Sequence, residues 1–405
     1  MAKKVDLPEP IIPNDSWKVV KLGQYVKILN GYPFDSSRFT NSNKNTYPLI
    51  RIRDVVRGYT ETFTDEDCPD EYKIKKDEIL IGMDGDFNIS RWKSDFGLLN
   101  QRVCKISTVS KDLDEKFLFY YLPIPLKLIN DATPSVTVKH LSSTSLQELH
   151  FPLPTLAEQQ RIVNRIESMF AKLDEAKEKA QNVVDGFETR KAAILHKAFT
   201  RELTAKWRRE NDVGDDSWEE KTIGECLIAI SDKYDPQKDK IDGVQYIGLE
   251  NIEANGGIIS TGDVSSVKSI KTLFKNNDLL YGKLRPYLNK HDIVEFDGIC
   301  STDILVYRSK PEYEIKFFNY LFSQNCFIQY AIENSNGINL PRTSEKNISA
   351  YSQKIPTLPE QVEIVRILDI IIEKENKAKQ AAESVLEQID LLKKSILARA
   401  FRGEL

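Results

Sequence analysis

The stretch LPTLAEQQRIV at residues 153–163 recurs as IPTLPEQVEIV at residues 355–365, and this duplication decides the fold. The segments that follow also end alike, in KAAILHKAFTREL at residues 191–203 and KKSILARAFRGEL at residues 393–405. The register between the two copies never slips, because both pairs of segments are separated by 202 residues (355 − 153 = 393 − 191 = 202). One structural unit has therefore been used twice.

Each copy carries the sequence pattern of a long helix. Thr155 and Thr357 are suited to the N-cap, and Glu158 and Glu360 three residues later predict a capping box. Beyond this start, apolar residues recur at alternating steps of four and three, which is typical of a coiled-coil seam. The seam residues are Ile162, Ile166, Met169, Leu173, Ala176, Ala180, Val183, Phe187, Arg190 and Ile194 in the first copy and Ile364, Leu368, Ile371, Glu375, Ala378, Ala382, Val385, Ile389, Leu392 and Ile396 in the second.

This seam predicts that the two helices pack against each other. Two separate helices exposed to solvent are the alternative, but each would leave its apolar stripe uncovered. Gly186 is the weak point of the first helix, because glycine costs about 1 kcal/mol relative to alanine inside a helix.

Length and composition limit the possible classes of protein. A chain of 405 residues with 40% hydrophobic and 29% charged residues predicts two or three globular domains. We expect a cytoplasmic protein, since no stretch approaches the length of a membrane span. The five cysteines are odd in number and scattered, which favours reduced thiols over disulfides or a zinc site. The net charge of −4 argues weakly against nucleic-acid binding, although one face can still be basic.

The repeat extends beyond the helices. Trp17 and Gly23 match Trp218 and Gly224 at a separation of 201 residues. In each half, short β-type runs such as residues 47–55 follow, and then a short core helix at residues 117–122 or 317–322. The predicted fold class is α+β, with globular domains at residues 1–152 and 211–354 and long helices within residues 153–210 and 355–405.

No motif of a known catalytic site is present. The sequence lacks GxxxxGK[ST], GxGxxG, HExxH and GxSxG, and its four histidines lie far apart. The PDEYK stretch at residues 69–73 is the nearest match to a nuclease, but its carboxylates are too close in sequence to span a two-metal site. We therefore expect neither catalytic residues nor a metal site in this chain.

Basic and amide side chains cluster between the β-type runs, at corresponding places in both halves. Arginine and lysine suit guanine edges and phosphates, whereas asparagine and glutamine suit adenine. Taken one at a time, each residue is better explained as an ordinary solvated surface residue, and the signal lies in the clustering at corresponding places of both halves. The candidate DNA-binding residues are Arg51, Arg53, Arg91, Lys93, Asn100, Gln101, Arg102 and Lys139 in the first half and Lys283, Arg285, Tyr287, Lys290, Thr302 and Arg342 in the second.

With these residues in view, the chain resembles the specificity subunit of a type I restriction-modification system. The resemblance rests on GYPFDSSRF, GMDGDFN, LLNQRVCKI, YGKLRPYLNK, GICSTDILV and the doubled helix, and it covers the chain from Ser16 to Leu405. It implies two target recognition domains, related by an internal pseudo-twofold repeat, that each recognise one part of an interrupted asymmetric site in double-stranded DNA. The conserved helices between them are implied to form an antiparallel coiled coil.

The resemblance also implies partners. Two modification subunits that bind S-adenosylmethionine and methylate adenine are expected on the helices, and restriction subunits that use ATP and Mg²⁺ are expected to join them. This chain would itself carry no cofactor and no catalytic residue. The candidate docking residues are Gln159, Gln160, Arg165, Gln361 and Arg366, which a plain solvated helix face explains equally well.

The length of the helices predicts the spacing of the two half-sites, and two alternative functions remain. About 45 helical residues at 1.5 Å each make a rod of roughly 65 to 70 Å, so rod length is expected to set the spacer between the half-sites. A stand-alone DNA-binding protein with two unlike recognition domains is one alternative, and it would alter no methylation. A self-contained enzyme is the other, and it would need the motifs that are missing.

Overall fold

The computed structural model describes residues 7–10, 17–133, 139–239, 244–264 and 267–405, so Ser16 lies outside the described residues. The chain divides into two compact α+β units: residues 1–180 with 384–405, and residues 181–383. The division passes through both long helices. Within the described residues, no helix is long and apolar enough to cross a membrane.

The first unit is built from a four-stranded antiparallel sheet, a five-stranded mixed sheet and a two-stranded ribbon. Their strand orders are β2-β10-β7-β8, β3-β5-β4-β9-β6 and β1-β11. The strands are β1 (Lys18–Lys21), β2 (Val26–Asn30), β3 (Phe39–Thr40), β4 (Tyr47–Ile50), β5 (Phe63–Thr64), β6 (Lys73–Lys75), β7 (Ile79–Gly82), β8 (Ile89–Arg91), β9 (Phe96–Leu99), β10 (Val103–Thr108) and β11 (His150–Leu153). The helices are α1 (Ile52–Arg57), α2 (Glu115–Tyr121), α3 (Pro123–Ala132), α4 (Ser143–Gln147) and α5 (Leu156–Asp185), the last of which continues into the second unit.

The predicted strand at residues 47–55 was wrong in its second half. The strand β4 ends at Ile50, and the chain then forms the short helix α1. The buried carboxylate of Asp54 accepts a hydrogen bond from the Arg51 amide at 2.9 Å, which closes the first turn of this helix. The predicted core helix at residues 117–122 is confirmed by α2, which buries Phe117 and Leu118.

The second unit repeats this plan. Its sheets have the orders β13-β20-β17-β18, β14-β16-β19-β15 and β12-β21. Its helices are α6 (Phe187–Phe199), α7 (Ala205–Glu210), α8 (Ile223–Cys226), α9 (Ile315–Phe322), α10 (Asn325–Glu333) and α11 (Glu345–Ser349), and α12 (Leu358–Ala400) continues into the first unit. Its strands are β12 (Glu219–Thr222), β13 (Leu227–Ile230), β14 (Lys233–Tyr234), β15 (Gln245–Ile247), β16 (Lys271–Phe274), β17 (Leu279–Gly282), β18 (His291–Ile293), β19 (Gly298–Cys300), β20 (Ile304–Ser309) and β21 (Ser352–Ile355).

Each unit contains an antiparallel pair of helix segments, one from each copy of the repeat. In the first unit, Lys393 forms an ion pair with Asp174, and Arg161 donates to the carbonyl of Leu405 at 3.1 Å. Residue numbers along α12 therefore increase in the direction in which those along α5 decrease. The second unit shows the same direction, because Arg190 contacts Glu375 whereas Thr204 contacts Glu360. The predicted antiparallel pairing is confirmed.

The predicted capping boxes were wrong. The amide of Glu158 donates to Thr155 Oγ1 at 3.4 Å, but the amide of Glu360 donates to the backbone carbonyl of Thr357 at 3.0 Å, and neither glutamate completes its box. The carboxylate of Glu360 is fully buried and accepts hydrogen bonds from Thr204 Oγ1 at 2.6 Å and Trp218 Nε1 at 3.0 Å. The carboxylate of Glu158 instead accepts from the Arg161 guanidinium at 2.8 and 2.9 Å. Neither carboxylate is bonded to the amide at the start of its helix.

The first long helix is interrupted at Gly186, between α5 and α6. The helical hydrogen bonds continue through it, since its amide donates to Asn182 and its carbonyl accepts from Arg190. A Cβ atom at Gly186 would lie 2.5 Å from Nη1 of Arg190. The glycine therefore leaves room for the Arg190 side chain, which pairs with Glu375 at 2.7 Å within the helix pair.

Candidate nucleic-acid interface

The first unit has a hollow between the ends of two neighbouring strands. The strands β4 and β9 are parallel, with Leu49 opposite Leu98 and Ile50 opposite Leu99. Because the carboxyl ends of parallel strands meet at one edge of a sheet, the turns that follow them are brought together. The resulting first-unit hollow has a volume of about 460 Å³ and is lined by Ser36, Phe39, Arg51, Ile52, Arg53, Asn100, Gln101 and Arg102.

Five predicted DNA-binding residues therefore share one cavity. Three of these residues are arginines, which makes the wall of the hollow basic although the whole chain has a net charge of −4. Ser36, Phe39 and Ile52 line the hollow but were not predicted as DNA-binding residues. Ile52 lies between the predicted Arg51 and Arg53, whereas Ser36 and Phe39 are distant from them in sequence. Ser36 and Phe39 belong to the GYPFDSSRF stretch, so the resemblance already contained the signal for them.

The arginines of the hollow differ in how far their donors are already used. Arg53 donates to Thr62 Oγ1 at 3.0 Å and lies 3.8 Å from Asp54, and Arg102 lies 3.7 Å from Asp84. Arg51 has no ion pair within the described part of the chain, and its guanidinium lies over the ring of Phe39, 5.9 Å from the centroid. Asn100 is buried, and its Oδ1 has no hydrogen-bond partner among the described residues.

The other candidates in the first half lie outside this hollow. Arg91 donates to the carbonyl of Asp77 at 2.8 Å and to Glu115 at 3.0 Å. Lys139 donates to the carbonyl of Asn130 at 2.6 Å. These contacts tie turns and helices of the unit together, so both side chains have a structural role. Lys93 is exposed and its aliphatic part packs against Gly58.

The two units share a pattern of backbone hydrogen bonds that connects the turns carrying the DNA-binding candidates. We call this pattern the frame and these turns the recognition turns. The amide of Met83 donates to the carbonyl of Arg102 at 2.8 Å, and the amide of Lys283 donates to that of Asp303 at 2.8 Å. Likewise, the amide of Gly85 donates to the carbonyl of Lys139 at 3.0 Å, and the amide of Arg285 donates to the carbonyl of Pro341 at 2.8 Å. Arg285 and Arg342 are thereby brought next to Lys283.

The side chains on this shared frame are different. In the first unit, the carboxylate of Asp84 lies 2.6 Å from Nδ1 of His140 and also faces Arg102. In the second unit, Asp303 occupies the place of Arg102 and forms an ion pair with Arg342. An arginine and an aspartate therefore stand at corresponding positions of the two frames.

The candidates of the second unit also divide into engaged and free side chains. Lys283 donates to the carbonyl of Thr302, and its burial and the nearby Arg342 lower the pKa of its ammonium group. Lys290 donates to the carbonyl of Leu249 at 2.7 Å. Arg285 and Tyr287 are exposed, and no side-chain hydrogen bond or ion pair is recorded for them among the described residues.

Two of the five docking candidates were wrong, because they are completely buried. The side chain of Gln159 accepts a hydrogen bond from the backbone amide of Asp114 at 2.7 Å and donates to the backbone carbonyl of Asp112 at 2.8 Å. The side chain of Gln361 accepts from the amide of Glu314 at 2.9 Å. Both glutamines hold the start of a long helix to its own unit. The three that remain on the surface are Gln160, Arg165 and Arg366, the last in an ion pair with Glu363.

Comparison with known proteins identifies relatives along nearly the whole chain. The family model of the type I restriction modification DNA specificity domain matches residues 14–184 and again residues 215–388. The specificity subunit of the Escherichia coli type I restriction enzyme EcoBI is 30% identical, and the match covers 97% of this chain and 87% of that protein. The specificity subunit of the E. coli enzyme EcoDI is 25% identical, over 96% and 88% of the two chains.

Solved structures share the fold. The HsdS subunit from Thermoanaerobacter tengcongensis matches with a TM-score of 0.62 and 17% identity, over 97% of this chain and 98% of that one. A chain from a structural study of complex assembly and conformational transition of the type I R-M system matches with a TM-score of 0.66 and 16% identity, over 99% and 100%. With the family model matching both halves, this protein belongs to the family of type I restriction-modification DNA specificity subunits.

Proposed function

We propose that each unit recognises one part of an interrupted, asymmetric site in double-stranded DNA, and that the chain thereby directs adenine methylation by partner subunits. The observation that carries this proposal is the pair of matching frames with different side chains. Two identical frames would favour a symmetric site, whereas Arg102 in one and Asp303 in the other favour two unlike half-sites. The chain itself is a specificity subunit and not the catalytic one.

The charge distribution supports DNA as the ligand. The first-unit hollow gathers three arginines, and phosphates and guanine edges are the groups that arginine binds best in DNA. The net charge of −4 gives the chain as a whole no net attraction for the phosphate backbone. We therefore expect the partner subunits to supply part of the backbone contacts, and the complex to weaken as salt rises.

The partners follow from the same proposal. Two modification subunits would dock on the exposed faces of the long helices, for which Gln160, Arg165 and Arg366 remain candidates. S-adenosylmethionine would be bound by those subunits, and ATP and Mg²⁺ by restriction subunits that cleave DNA. The complex would act in the cytoplasm, where its DNA substrate is found.

A genome-wide map of methylated adenines tests the proposal. Single-molecule sequencing would compare the host, a strain lacking this gene and a strain in which residues 17–151 are replaced by the corresponding domain of another specificity subunit. We expect one interrupted motif to lose methylation in the deletion strain and only half of that motif to change in the domain exchange. An unchanged methylation pattern in both strains would favour the stand-alone DNA-binding protein.

The length of the helices gives a second test. Inserting seven residues into both helices, at corresponding places, is expected to lengthen the spacer of the methylated motif and to leave both half-sites unchanged. A change in either half-site would contradict the assignment of sequence recognition to the two units.

A further inference from the structure

We infer that Arg51 is the residue with which the first unit recognises a guanine in the major groove. This inference rests on the proposed function and goes beyond it, because it names one base and the side chain that selects it. The basis is the contrast between Arg51 and the other two arginines of the hollow in their contacts with carboxylates.

Most basic side chains around the first-unit hollow are already occupied. Arg53 donates to Thr62 and lies beside Asp54, and Arg102 faces Asp84. A guanidinium held by a carboxylate must give up that contact before it can donate fully to a base. Of the three arginines in the hollow, Arg51 alone has no ion pair within the residues that the structure describes.

The position of Arg51 is fixed by its surroundings. Its amide donates to the buried carboxylate of Asp54 at 2.9 Å, and β4, which ends at the preceding residue, is paired with β9. The guanidinium lies over the ring of Phe39, 5.9 Å from the centroid. A cation–π contact uses the positive charge of the guanidinium and needs no hydrogen-bond acceptor, so it does not by itself occupy the N–H groups. The backbone of Arg51 is therefore held in place, and its guanidinium has neither a hydrogen-bond nor an ion-pair partner among the described residues.

A guanine fits these free donors better than the alternatives. Guanine presents the O6 and N7 acceptors side by side in the major groove, and the planar fork of arginine matches both of them. Adenine and cytosine each present an amino donor there, which would face the donors of Arg51. A phosphate would also accept, but it requires no concave surface, whereas Arg51 stands in a hollow beside the amide side chains of Asn100 and Gln101.

Variants in the complete complex test this inference. The chain would be expressed with its modification subunits in cells without other adenine methylation, as wild type, Arg51→Ala and Arg51→Lys. Arg57→Ala is the matched control, because Arg57 lies on the same helix, pairs with Glu61 and does not line the hollow. We expect one guanine of one half-site to become degenerate in the map of methylated motifs for Arg51→Ala, a weaker preference for that guanine for Arg51→Lys, and no change for Arg57→Ala.

A binding measurement on the same complex gives an independent readout. Replacing the selected guanine by 7-deazaguanine removes the N7 acceptor and leaves O6. The affinity of the wild-type complex is therefore expected to fall by a factor of about 2 to 13, because one of the two hydrogen bonds of a bidentate contact is lost. The Arg51→Ala complex, which lacks the donors, should bind both oligonucleotides equally. Equal binding of both by the wild type, at every guanine of the site, would overturn the inference.

The outcomes separate this inference from the proposed function. If the wild-type chain directs methylation of an interrupted motif and the Arg51 variants methylate the same motif less efficiently at all positions, Arg51 contacts a phosphate and the inference fails alone. If the wild-type chain directs no methylation at all, the proposed function fails. If Arg51→Ala abolishes methylation, the motif methylated by Arg51→Lys decides, because lysine keeps the charge and loses the planar fork. Weaker selection of one guanine supports the inference, and unchanged selection at every position of the motif overturns it.

Discussion

The duplicated glutamates provide a controlled test of burial, because one sequence position occurs in two environments. Glu360 is fully buried and its carboxylate accepts hydrogen bonds from Thr204 and Trp218, with Arg208 3.9 Å away. Glu158, its counterpart 202 residues earlier, lies at the surface in an ion pair with Arg161. The same substitution at the two sites should therefore have very different effects on the free energy of unfolding.

We expect Glu360→Ala to destabilise the second unit by about 3 to 5 kcal/mol, the usual cost of removing one partner from a buried charged network. Two donors, the Thr204 hydroxyl and the Trp218 indole N–H, would lose their acceptor, and each such loss costs about 1 to 3 kcal/mol. Glu158→Ala should cost only about 0.2 to 1 kcal/mol, because its ion pair is exposed to solvent.

The assay must resolve the two units, since a chain with two compact units need not unfold in one step. Hydrogen–deuterium exchange at increasing urea concentrations reports the opening of each unit separately. Glu360→Gln serves as the intermediate case, because its amide oxygen still accepts one hydrogen bond. Equal losses of stability for Glu360→Ala and Glu158→Ala would refute the assignment of Glu360 to a buried network.

Three further predictions concern stability. Gln159→Ala is expected to cost about 2 to 3 kcal/mol in urea unfolding, because its buried amide bonds to the backbone at residues 112, 114 and 154, whereas the exposed Gln160→Ala should change stability by less than about 0.5 kcal/mol. In the second helix pair, Arg190→Leu should destabilise by about 1 kcal/mol and Arg190→Leu with Glu375→Leu should recover that loss, which a double-mutant cycle would show as a coupling energy. Burial lowers the pKa of His291 to about 4, below the ordinary value of 6.5, so between these pH values the unfolded chain binds a proton that the folded chain does not. The free energy of unfolding of the second unit should therefore be greatest above about pH 6.5 and fall by about 3 kcal/mol towards pH 4. Unfolding measured as a function of pH should show a smaller loss for His291→Gln.

The features that the sequence predicted are those with a local periodicity. The seam with steps of four and three is written into each helix, and its occurrence in two copies doubled the signal for a helix pair. The core helices α2 and α9 were also predictable, because each carries a short run that is rich in aromatic residues. The antiparallel direction of pairing was implied by the family resemblance, and it is seen in both units.

The burial of Gln159 and Gln361 could not be predicted from the helix pattern. A helical face appears polar when it carries glutamine, but here residues 112 and 114 approach it from 45 or more positions away in sequence. One signal was nevertheless present in the repeat. Gln159 and Gln361 are identical in the two copies, whereas the next position changes from Gln160 to Val362. A shared structural contact explains the first observation, and an exposed position explains the second.

The duplication also explains why the net charge was a poor guide to the ligand. The recognition turns of the two units share a frame, yet Arg102 in one corresponds to Asp303 in the other. Each charge lies beside an opposite charge, Arg102 beside Asp84 and Asp303 beside Arg342. The net charge of the whole chain therefore does not reveal which charged groups the surface of each unit presents. Changing one member of either pair would leave its partner without a counter-charge in a partly buried site. Specificity should therefore change more readily by exchange of a whole recognition unit, which keeps each pair together, than by single substitutions within it.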